Sequence, residues 1–404
     1  MQDQPPPPPP APERRAAPWG RPAAKAPPTP PAPPPAAPPR PPAASSLETH
    51  RFPCPACGAD LRYAPGTTEM RCQHCGTEEP IPDIRGEVPV LDLREAARLP
   101  DAAMEETRTV ACASCGAQVE FDADLHAREC PFCASPVVTD TGTHRHIKPQ
   151  AQLPILVTEA EARDAFRRWI RNLWFAPNDL RKLARADRAM QGVYAPYWTY
   201  DAETETEYTG QRGRVRHTTR RVPVTVKGKR QMQSQTIEQV DWTPVRGRVS
   251  RDFRDVLVLG SRSLPKRFTD SIAPFDLVAL STYDPRFIAG FRAEGYTVPV
   301  DEGYQEARQI MNAVIEADVR RDIGGDRQRV GRLDTRVGQL GFKHVLLPIW
   351  MAAYRYRGRS FRFVVNGRTG AVCGERPWSV AKIVLAVLAL VVAGFLFAML
   401  QLGG

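Results

Sequence analysis

The sequence predicts an α+β protein with two tandem four-cysteine zinc ribbons, a duplicated α+β domain and one C-terminal transmembrane helix. Three observations predict this fold class. Four Cys-x2-Cys pairs occur at repeated spacing, helix and strand patterns recur within residues 149–376, and an uncharged apolar run begins at Ile383. The 404 residues leave room for two or three domains.

The cysteine pairs form two blocks with the same internal spacing. Fourteen residues separate the pairs within each block, and every cysteine of the second block lies 58 positions after its counterpart in the first. The segment is therefore one small unit used twice, with predicted ribbons at 50–90 and 108–140. The predicted metal ligands are Cys54, Cys57, Cys72, Cys75, Cys112, Cys115, Cys130 and Cys133.

The spacing of these cysteines favours zinc as the bound metal. Thiolates suit tetrahedral zinc, and two residues between ligands let one tight knuckle present both sulfurs to the same ion. A unit of about 25 residues cannot bury a core of its own, so two structural zinc ions would supply most of its folding energy. Gly58 and Gly76 fit the sharp turn beneath the sulfurs. Iron in the same geometry and disulfide pairing remain as alternatives.

Residues 1–48 are predicted to form a disordered Pro/Ala-rich arm. Twenty of the 41 prolines fall between residues 5 and 42, mixed with alanine and little else that is apolar. This composition favours polyproline II and cannot bury a core. We interpret the segment as a spacer, with a ligand for proline-recognising domains as the alternative.

Residues 149–376 are predicted to form a basic α+β domain. Thr158 and Glu161 fit a capping box, and the apolar residues after them recur at helical spacing. A second helix over 179–190 and an aromatic strand over 193–200 follow. A helix over 302–323 and a second strand opened by Pro-x-Trp repeat this order, which predicts an internal repeat of 153–210 and 298–358. The core face predicted for the later helix comprises Ala307, Ile310, Met311, Val314 and Ile315.

Two hairpins are predicted in the same domain. Residues 204–260 have extended character with a turn at Lys227-Gly228, and Asn366-Gly367 follows a short strand from Phe361. Carboxylates alternate along the first of these strands and could bind a cation, although a solvated strand face is favoured. They are Asp201, Glu203, Glu205 and Glu207.

Residues 380–402 are predicted to form a single transmembrane helix. There is no charged residue from Ile383 to Gly404, and the run is long enough for one bilayer crossing. A buried core helix is the alternative. Arg376 and Lys382 flank the upstream end and Trp378 has the interfacial position, so the positive-inside rule predicts that the bulk of the chain stays in the cytoplasm.

The formal charge of +10 is distributed unevenly. Residues 51–148 carry 10 basic and 16 acidic side chains, whereas residues 149–404 carry 40 and 26. The ribbon segment is therefore a poor partner for nucleic acid, which needs Lys and Arg contacts. We expect the basic domain to interact with anionic lipid headgroups. Binding of nucleic acid by this domain is an alternative that is not favoured.

The sequence lacks several common catalytic motifs. The sequence has no Gly-x4-Gly-Lys-Ser/Thr, no Gly-x-Gly-x-x-Gly, no His-Glu-x-x-His and no Gly-x-Ser-x-Gly. The sequence therefore predicts no catalysis.

Seven short segments carry a resemblance to a known family. They are Phe52-Pro-Cys-Pro-Ala-Cys-Gly58, Trp174-Phe-Ala-Pro177, Tyr194-Ala-Pro-Tyr-Trp-Thr199, Tyr208-Thr-Gly-Gln-Arg-Gly213, Asp255-Val-Leu-Val258, Asp322-Ile-Gly-Gly-Asp326 and Phe342-Lys-His-Val-Leu-Leu-Pro348. On these the chain resembles, over roughly residues 50–385, a family of bacterial membrane proteins with a transcription factor IIB-type zinc ribbon. Some members carry primosomal protein N′ or superfamily II helicase-like labels. The resemblance implies architecture, and it implies no biochemical activity.

These observations lead to one expected function and one alternative. We expect a single-pass protein of the cell inner membrane whose zinc ribbons face the cytoplasm and bind a protein partner, as an adaptor or scaffold. The alternative is a membrane-tethered nucleic-acid-binding protein linked to replication or transcription.

Overall fold

The computed structural model of the chain describes residues 52–82, 86–112, 117–120, 127–130, 136–138, 142–177, 179, 190–226, 229–356 and 359–402. Several predicted features lie outside these residues. They are the Pro/Ala-rich segment 1–48, nearly all of the helix predicted over 179–190, Cys115 and Cys133. Within them the protein is a mixture of helix and sheet that ends in one apolar helix.

The described part of the chain contains four α-helices and four short 3₁₀ helices. The α-helices are α1 (Glu159–Arg171), α2 (Lys266–Ile272), α3 (Val300–Ile323) and α4 (Val380–Leu402). The 3₁₀ helices are Leu93–Arg98, Asp101–Ala103, Leu277–Ala279 and Pro285–Ile288.

Strands account for most of the remaining described residues. Those before α1 are β1 (Leu61–Tyr63), β2 (Glu69–Cys72), β3 (Glu78–Pro80), β4 (Leu91–Asp92), β5 (Met104–Ala111), β6 (Gln118–Glu120), β7 (Ala127–Glu129), β8 (Pro136–Val138), β9 (Gly142–Ile147) and β10 (Ala151–Gln152). Those after α1 are β11 (Gln191–Val226), β12 (Lys229–Leu259), β13 (Ser281–Thr282), β14 (Arg292–Ala293), β15 (Arg327–Tyr356), β16 (Arg359–Asn366) and β17 (Val372–Gly374).

Three long strands organise the largest sheet. It has nine strands, and β11 lies at its centre between β12 and β15, antiparallel to both. The shorter strands β4, β10, β13, β14, β16 and β17 extend it. Smaller antiparallel sheets are formed by β1-β2-β3, by β6-β5-β9 and by β7-β8. The first of these small sheets carries the first cysteine block.

Both faces of the large sheet are covered by apolar side chains. Trp198, Tyr200 and Phe342 are buried on one face with the core stripe of α3. Tyr197 and Val345 alternate with them and are buried on the opposite face with side chains of α2. A third cluster joins α1 to the β1-β2-β3 unit. The period of two along the strands places successive side chains in different layers.

The predicted capping box at the start of α1 is confirmed. The Thr158 hydroxyl accepts from the Glu161 amide, and the Glu161 carboxylate accepts from the Thr158 amide at 2.8 Å. Ala162, Phe166 and Ile170 are buried as the helical spacing predicts.

The core face predicted for α3 is correct except at one position, and a second position is only half-buried. Ala307, Met311 and Ile315 are buried together with Gly303, Val319 and Ile323. Val314 is half-buried against the same core, whereas Ile310 is 38% exposed. The buried stripe follows a strict spacing of four residues, which leaves Ile310 at its edge. Gly324 ends the helix with a φ of 64°, a backbone conformation that favours glycine.

Both predicted hairpins are present. Val226 pairs with Lys229, so β11 and β12 are joined by the two residues predicted to turn, which themselves lie outside the described part of the chain. At the second hairpin β16 pairs with β17. Its loop is longer than a two-residue turn, because the Asn366 amide donates to the Ala371 carbonyl and Gly370 takes a φ of 73°.

The β11-β12 hairpin extends beyond the rest of the sheet. Pairing of β11 with β15 ends at Gly213 and Arg327, while pairing with β12 continues to Val226. We call the two-stranded part, residues 214–241, the arm. Its described side chains at 216–221 and 232–239 are exposed, so the arm packs on no core. At about 3.3 Å per residue, its thirteen residues from 214 to 226 span roughly 40 Å.

Candidate metal centre

The sulfurs of the first cysteine block come together in one cluster. The Sγ atoms of Cys54, Cys57, Cys72 and Cys75 all lie within 4.8 Å of one another. Cys54 Sγ is 3.5 Å from Cys75 Sγ, and Cys57 Sγ is 3.5 Å from Cys72 Sγ. Tetrahedral coordination with Zn–S bonds of about 2.3 Å separates sulfurs by about 3.8 Å. The cluster therefore fits a four-thiolate metal ion.

Two identical knuckles build this cluster. The Cys54 amide donates to the Ala59 carbonyl at 2.7 Å, and the Cys72 amide donates to the Thr77 carbonyl at 2.8 Å. In each knuckle the glycine that follows the second cysteine has a positive φ, 75° at Gly58 and 78° at Gly76. Glycine is favoured there because a Cβ would strain this conformation.

One half of the cluster faces the domain and the other half faces solvent. Cys54 and Cys72 are buried, whereas Cys57 and Cys75 are exposed. His74 is also exposed and lies within the second knuckle without joining the group of ligands. Hydrogen bonds from the Thr77 hydroxyl, 3.1 Å from the sulfur, and from the Thr77 amide lower the pKa of the Cys75 thiol to about 6. This lowered pKa favours the thiolate of Cys75, which is the form that binds metals.

The β1-β2-β3 unit is anchored to the rest of the protein through its apolar residues. Leu61, Tyr63 and Met70 are buried in the same cluster as Phe166 of α1 and Phe363 of β16. The Tyr63 ring lies edge-on to Phe287, with centroids 5.2 Å apart. The Gly66 amide donates to the Ile155 carbonyl at 3.0 Å. This packing supplies the core that the unit is too small to form alone.

The second cysteine block is described only in part. Cys112 and Cys130 are both buried, in the cluster that contains Tyr197 and Val345, and their predicted co-ligands Cys115 and Cys133 lie outside the described residues. The Cys112 amide donates to the Ala117 carbonyl at 2.8 Å. This bond has the same spacing as those of Cys54 and Cys72.

Three of the four acidic residues that the sequence places on one strand, Asp201, Glu205 and Glu207, are paired with cations of the protein itself. Arg248 contacts Glu205 at 3.0 Å and Glu207 at 2.6 Å. Asp201 is buried, and its carboxylate lies 3.2 Å from the Lys343 ammonium. Arginine and lysine side chains of the protein therefore pair with carboxylates for which the sequence left open the binding of a cation.

Sequence reasoning missed the partners of that buried aspartate. Lys343 also lies 2.5 Å from Asp255, whose φ of 53° is left-handed. The Asp255 amide donates to Asp201 at 2.7 Å. No local pattern marks this arrangement, because it depends on the register between β11, β12 and β15. It is an ion cluster with a buried lysine, and it lies at the bulge after Tyr200.

The last helix fulfils the length and composition of a membrane span. Within Val380–Gln401 an 18-residue window has a mean hydropathy of 3.0, and none of this window is buried inside the protein. Among the described residues, this is the one helix that is long and apolar enough to cross a membrane. The alternative of a buried core helix is wrong, because the Leu, Val and Phe side chains of the helix itself are exposed.

The fold and the site define a mixed helix and sheet protein with a four-cysteine cluster close enough to hold a metal ion and one helix apolar enough to cross a membrane. The chain is 25% identical over 335 residues to the uncharacterized protein YdjG of Bacillus subtilis (strain 168). That alignment covers 82% of this chain and 91% of YdjG. No family model matches the chain, and no solved structure matches it.

Proposed function

We propose that the protein is a membrane-anchored, non-catalytic adaptor that faces the cytoplasm and carries a long β-ribbon to a protein partner. The observation that carries this proposal is the position of the arm relative to α4. The metal-binding unit stabilises the domain between them, and its exposed acidic edge at Glu78 and Glu79 provides a second surface for a protein.

The arm and α4 belong to opposite ends of the large sheet. Gln191 at the start of β11 pairs with Met351 of β15, and β15 leads through β16 and β17 to α4, which starts six residues after Gly374. The arm lies at the other end of β11. At about 3.3 Å per residue the 36 residues of this strand have a contour on the order of 100 Å. The arm therefore points to a partner away from the anchoring helix.

The arm offers backbone groups as well as charge. In the described part of the chain β12 pairs only with β11, so its outer edge is open along Lys229–Leu259. Between residues 208 and 237 there are eight Lys and Arg and no Asp or Glu. An acidic, extended protein segment could add to this edge as a strand and neutralise the arginines. Two copies of the arm would repel each other.

Site-specific photo-crosslinking tests the adaptor. A crosslinking amino acid at Met232 or Ile237, both exposed on the arm, should give one discrete protein adduct in intact cells. The matched control is Val278, which is 98% exposed and lies outside the arm. Absence of an arm-specific protein adduct would count against the adaptor.

The same basic arm favours nucleic acid as the second candidate partner. Arg214, Arg216 and Arg220 lie on one face of β11, and neighbours two positions apart are separated by about 6.6 Å. Phosphates are the natural counter-ions of such a row. This candidate predicts a steep loss of DNA or RNA binding with salt, and crosslinks that disappear after nuclease treatment. Nuclease-resistant protein adducts would reject it.

We further propose that the metal is zinc and that the second cysteine block holds a second zinc ion. The fit of the first cluster to tetrahedral thiolate geometry supports the first site, and the repeated Cys112 to Ala117 hydrogen bond supports the second. Metal analysis of the purified protein should find two zinc ions per chain. One zinc ion would confine the proposal to the first block, and iron in its place would reject zinc.

The proposed orientation follows from charge beside the helix. Arg376 and Lys382 lie at the upstream end of α4, where the positive-inside rule favours the cytoplasmic side. Protease added to sealed vesicles with the cytoplasmic side outward should remove the domain. Protection of the domain in these vesicles would reverse the topology.

The register of the large sheet also supports the proposed duplication. Pro196 of β11 pairs with Leu346 of β15, and Pro348 of β15 pairs with Tyr194 of β11. Each proline is therefore opposite the residue two positions before the other proline, so the two Pro-x-Trp segments have equivalent positions in the sheet. A helix precedes each strand, α1 in the first half and α3 in the second.

A further inference from the structure

A loop of the domain is fixed to the first turn of α4. The Ser379 amide donates to the Phe175 carbonyl at 2.8 Å, and the Lys382 ammonium donates to the carbonyls of Trp174 at 3.1 Å and Ala176 at 2.8 Å. Phe175 and Trp378 also pack, with ring centroids 6.4 Å apart. The loop and the start of the helix therefore share one depth relative to a bilayer.

Large aromatic side chains at this junction are open to the surroundings. Trp174 is 76% exposed and Trp378 is 55% exposed. Indole rings with an apolar body and one N–H donor prefer the boundary between headgroups and acyl chains. An exposed tryptophan held against the start of an apolar helix is therefore expected at that boundary.

A cleft opens beside the Trp378 ring. It has a volume of about 550 Å³ and is bounded by α2, β17 and the residues that lead into α4. Arg267 of α2 and Arg376 contribute guanidinium groups to it, and Trp378 forms part of its wall. The Arg376 guanidinium lies over the Trp378 ring, 4.3 Å from its centroid.

The charge of this cleft is positive. Its carboxylate, Glu375, lies 3.5 Å from Arg362 and 3.6 Å from Arg267 and accepts from the Arg362 amide at 3.1 Å. One carboxylate therefore accompanies three guanidinium groups, those of Arg362, Arg267 and Arg376, so the net charge is positive. The Arg267 side chain is 71% exposed. Guanidinium groups next to an indole ring suit a phosphate whose attached chain enters an apolar phase.

We propose that this cleft, with Arg267, Arg376 and Trp378, binds the headgroup of an anionic phospholipid, while Trp174 enters the bilayer boundary beside it. The inference rests on the proposed membrane anchorage by α4. It adds a lipid preference that an apolar helix alone does not provide. The basic arm at the far end of the sheet has no part in it.

The test uses the full chain in vesicles that contain phosphatidylcholine and phosphatidylglycerol, with bromine on the acyl chains of only one lipid at a time. Bromine quenches nearby indole fluorescence. Brominated phosphatidylglycerol should quench more than brominated phosphatidylcholine at the same mole fraction. Trp174→Phe should lower the quenched fraction, whereas Trp242→Phe at the base of the arm should not.

Charge variants then assign the preference to the cleft. The double variant Arg267→Gln, Arg376→Gln should lose the preference for the anionic lipid, by on the order of fivefold per arginine. The matched control Arg220→Gln, Arg221→Gln removes two arginines from the arm and should keep it. Equal quenching by the two lipids, or a preference unchanged in the cleft variant, would overturn the proposal. Loss of the lipid preference on addition of millimolar inorganic phosphate would also overturn the proposal, because the cleft would then bind free phosphate.

Extraction at alkaline pH separates this proposal from the anchorage on which it rests. Protein that stays in the membrane pellet without lipid preference rejects the headgroup site alone. Protein released into the supernatant rejects anchorage by α4.

Discussion

The hydroxyl of Tyr63 lies 3.2 Å from the carbonyl oxygen of Ile155 and donates to it across 92 residues of sequence. The same hydroxyl lies 2.8 Å from the Thr67 carbonyl, so its proton is shared between the metal-binding unit and the segment that leads into α1. Burial raises the pKa of Tyr63 to about 12, which keeps the proton in place at physiological pH. The cysteine cluster and the domain are therefore one folding unit at this point.

Removal of a buried cysteine ligand should destabilise the whole domain. Cys72→Ser places a poor ligand beside three thiolates, and Cys72 is buried in the core that contains Phe166 and Phe363. We expect loss of metal from the first site together with a lower melting temperature for the entire domain. The control Cys373→Ser changes a half-buried cysteine away from the cluster and should keep both. A domain that melts normally without metal would contradict this coupling.

Tyr63→Phe tests the hydrogen bond separately from the metal. The ring keeps its contact with Phe287, and only the shared proton is lost, so unfolding should become easier by about 1 to 3 kcal/mol. Metal content should stay constant, because Tyr63 is not a ligand. Tyr304→Phe, on a ring that packs against Tyr200, is the matched control and should cost less. Chemical denaturation of both variants measures the difference.

Local patterns in the sequence predicted most elements but not how they come together. The capping box at Thr158, most of the stripe of α3 and both hairpins depend on residues near each other in the chain and were predicted correctly. Ile310 was placed wrongly because helical spacing gives a face without its width. The packing of Tyr63 against Phe287 depends on contacts over more than 200 residues, which no local pattern encodes.

Candidate sites followed the same division. The knuckles at Cys54 and Cys72 were predictable because spacing and glycine position determine them locally. The lipid cleft was not, since Arg267 and Arg376 are distant in sequence and meet only after α2 packs on β17. Trp378 was recognised from its position before the apolar run, while Trp174 gained a role only from its contact with Lys382.

The ion cluster around Lys343 should be sensitive to loss of its cation. Lys343→Met would leave the Asp201 and Asp255 carboxylates facing each other without a buried cation, which costs about 3 to 5 kcal/mol in comparable pairs. Arg248→Met is the matched control, because its pairs with Glu205 and Glu207 are exposed to solvent and contribute little to stability. Urea denaturation should separate the two variants, and equal losses would contradict the burial argument.

The buried histidine of β15 should make stability depend on pH. Burial lowers the pKa of His344 to about 4 from its ordinary 6.5, and a positive charge on nearby His146 adds to this effect. His344 Nδ1 donates to the Ile147 carbonyl at 2.8 Å, and the Trp198 and Tyr296 rings pack against it. Between pH 6.5 and 4 the unfolded chain binds more protons at this position than the folded chain. Stability is therefore full above pH 6.5 and falls as pH decreases.

His344→Asn tests this dependence, because asparagine can still donate to Ile147 without titrating. The wild type should lose up to about 1.4 kcal/mol per pH unit through His344 in this window, and the variant should lose less. His217→Asn changes an exposed histidine of the arm and should leave the slope as it is. Denaturation at pH 7.0 and pH 5.0 gives the comparison. Identical slopes in wild type and His344→Asn would contradict the assignment.

Shortening the arm should separate folding from partner binding. Val215 pairs with Val240, so residues 216–239 can be replaced by Asn-Gly, which closes a two-residue hairpin at that pair. The replacement removes exposed side chains and two exposed ion pairs, Arg216 with Asp241 and Arg327 with Glu238, each worth about 1 kcal/mol or less. The melting temperature and metal content should therefore change little. The crosslinked protein partner should be lost, because the part of the open edge that lies within residues 229–239 and six of the eight basic side chains between residues 208 and 237 are gone. A shortened protein that keeps the partner would move the binding surface to the exposed edge of the metal-binding unit, and one that fails to fold would give the arm a structural role.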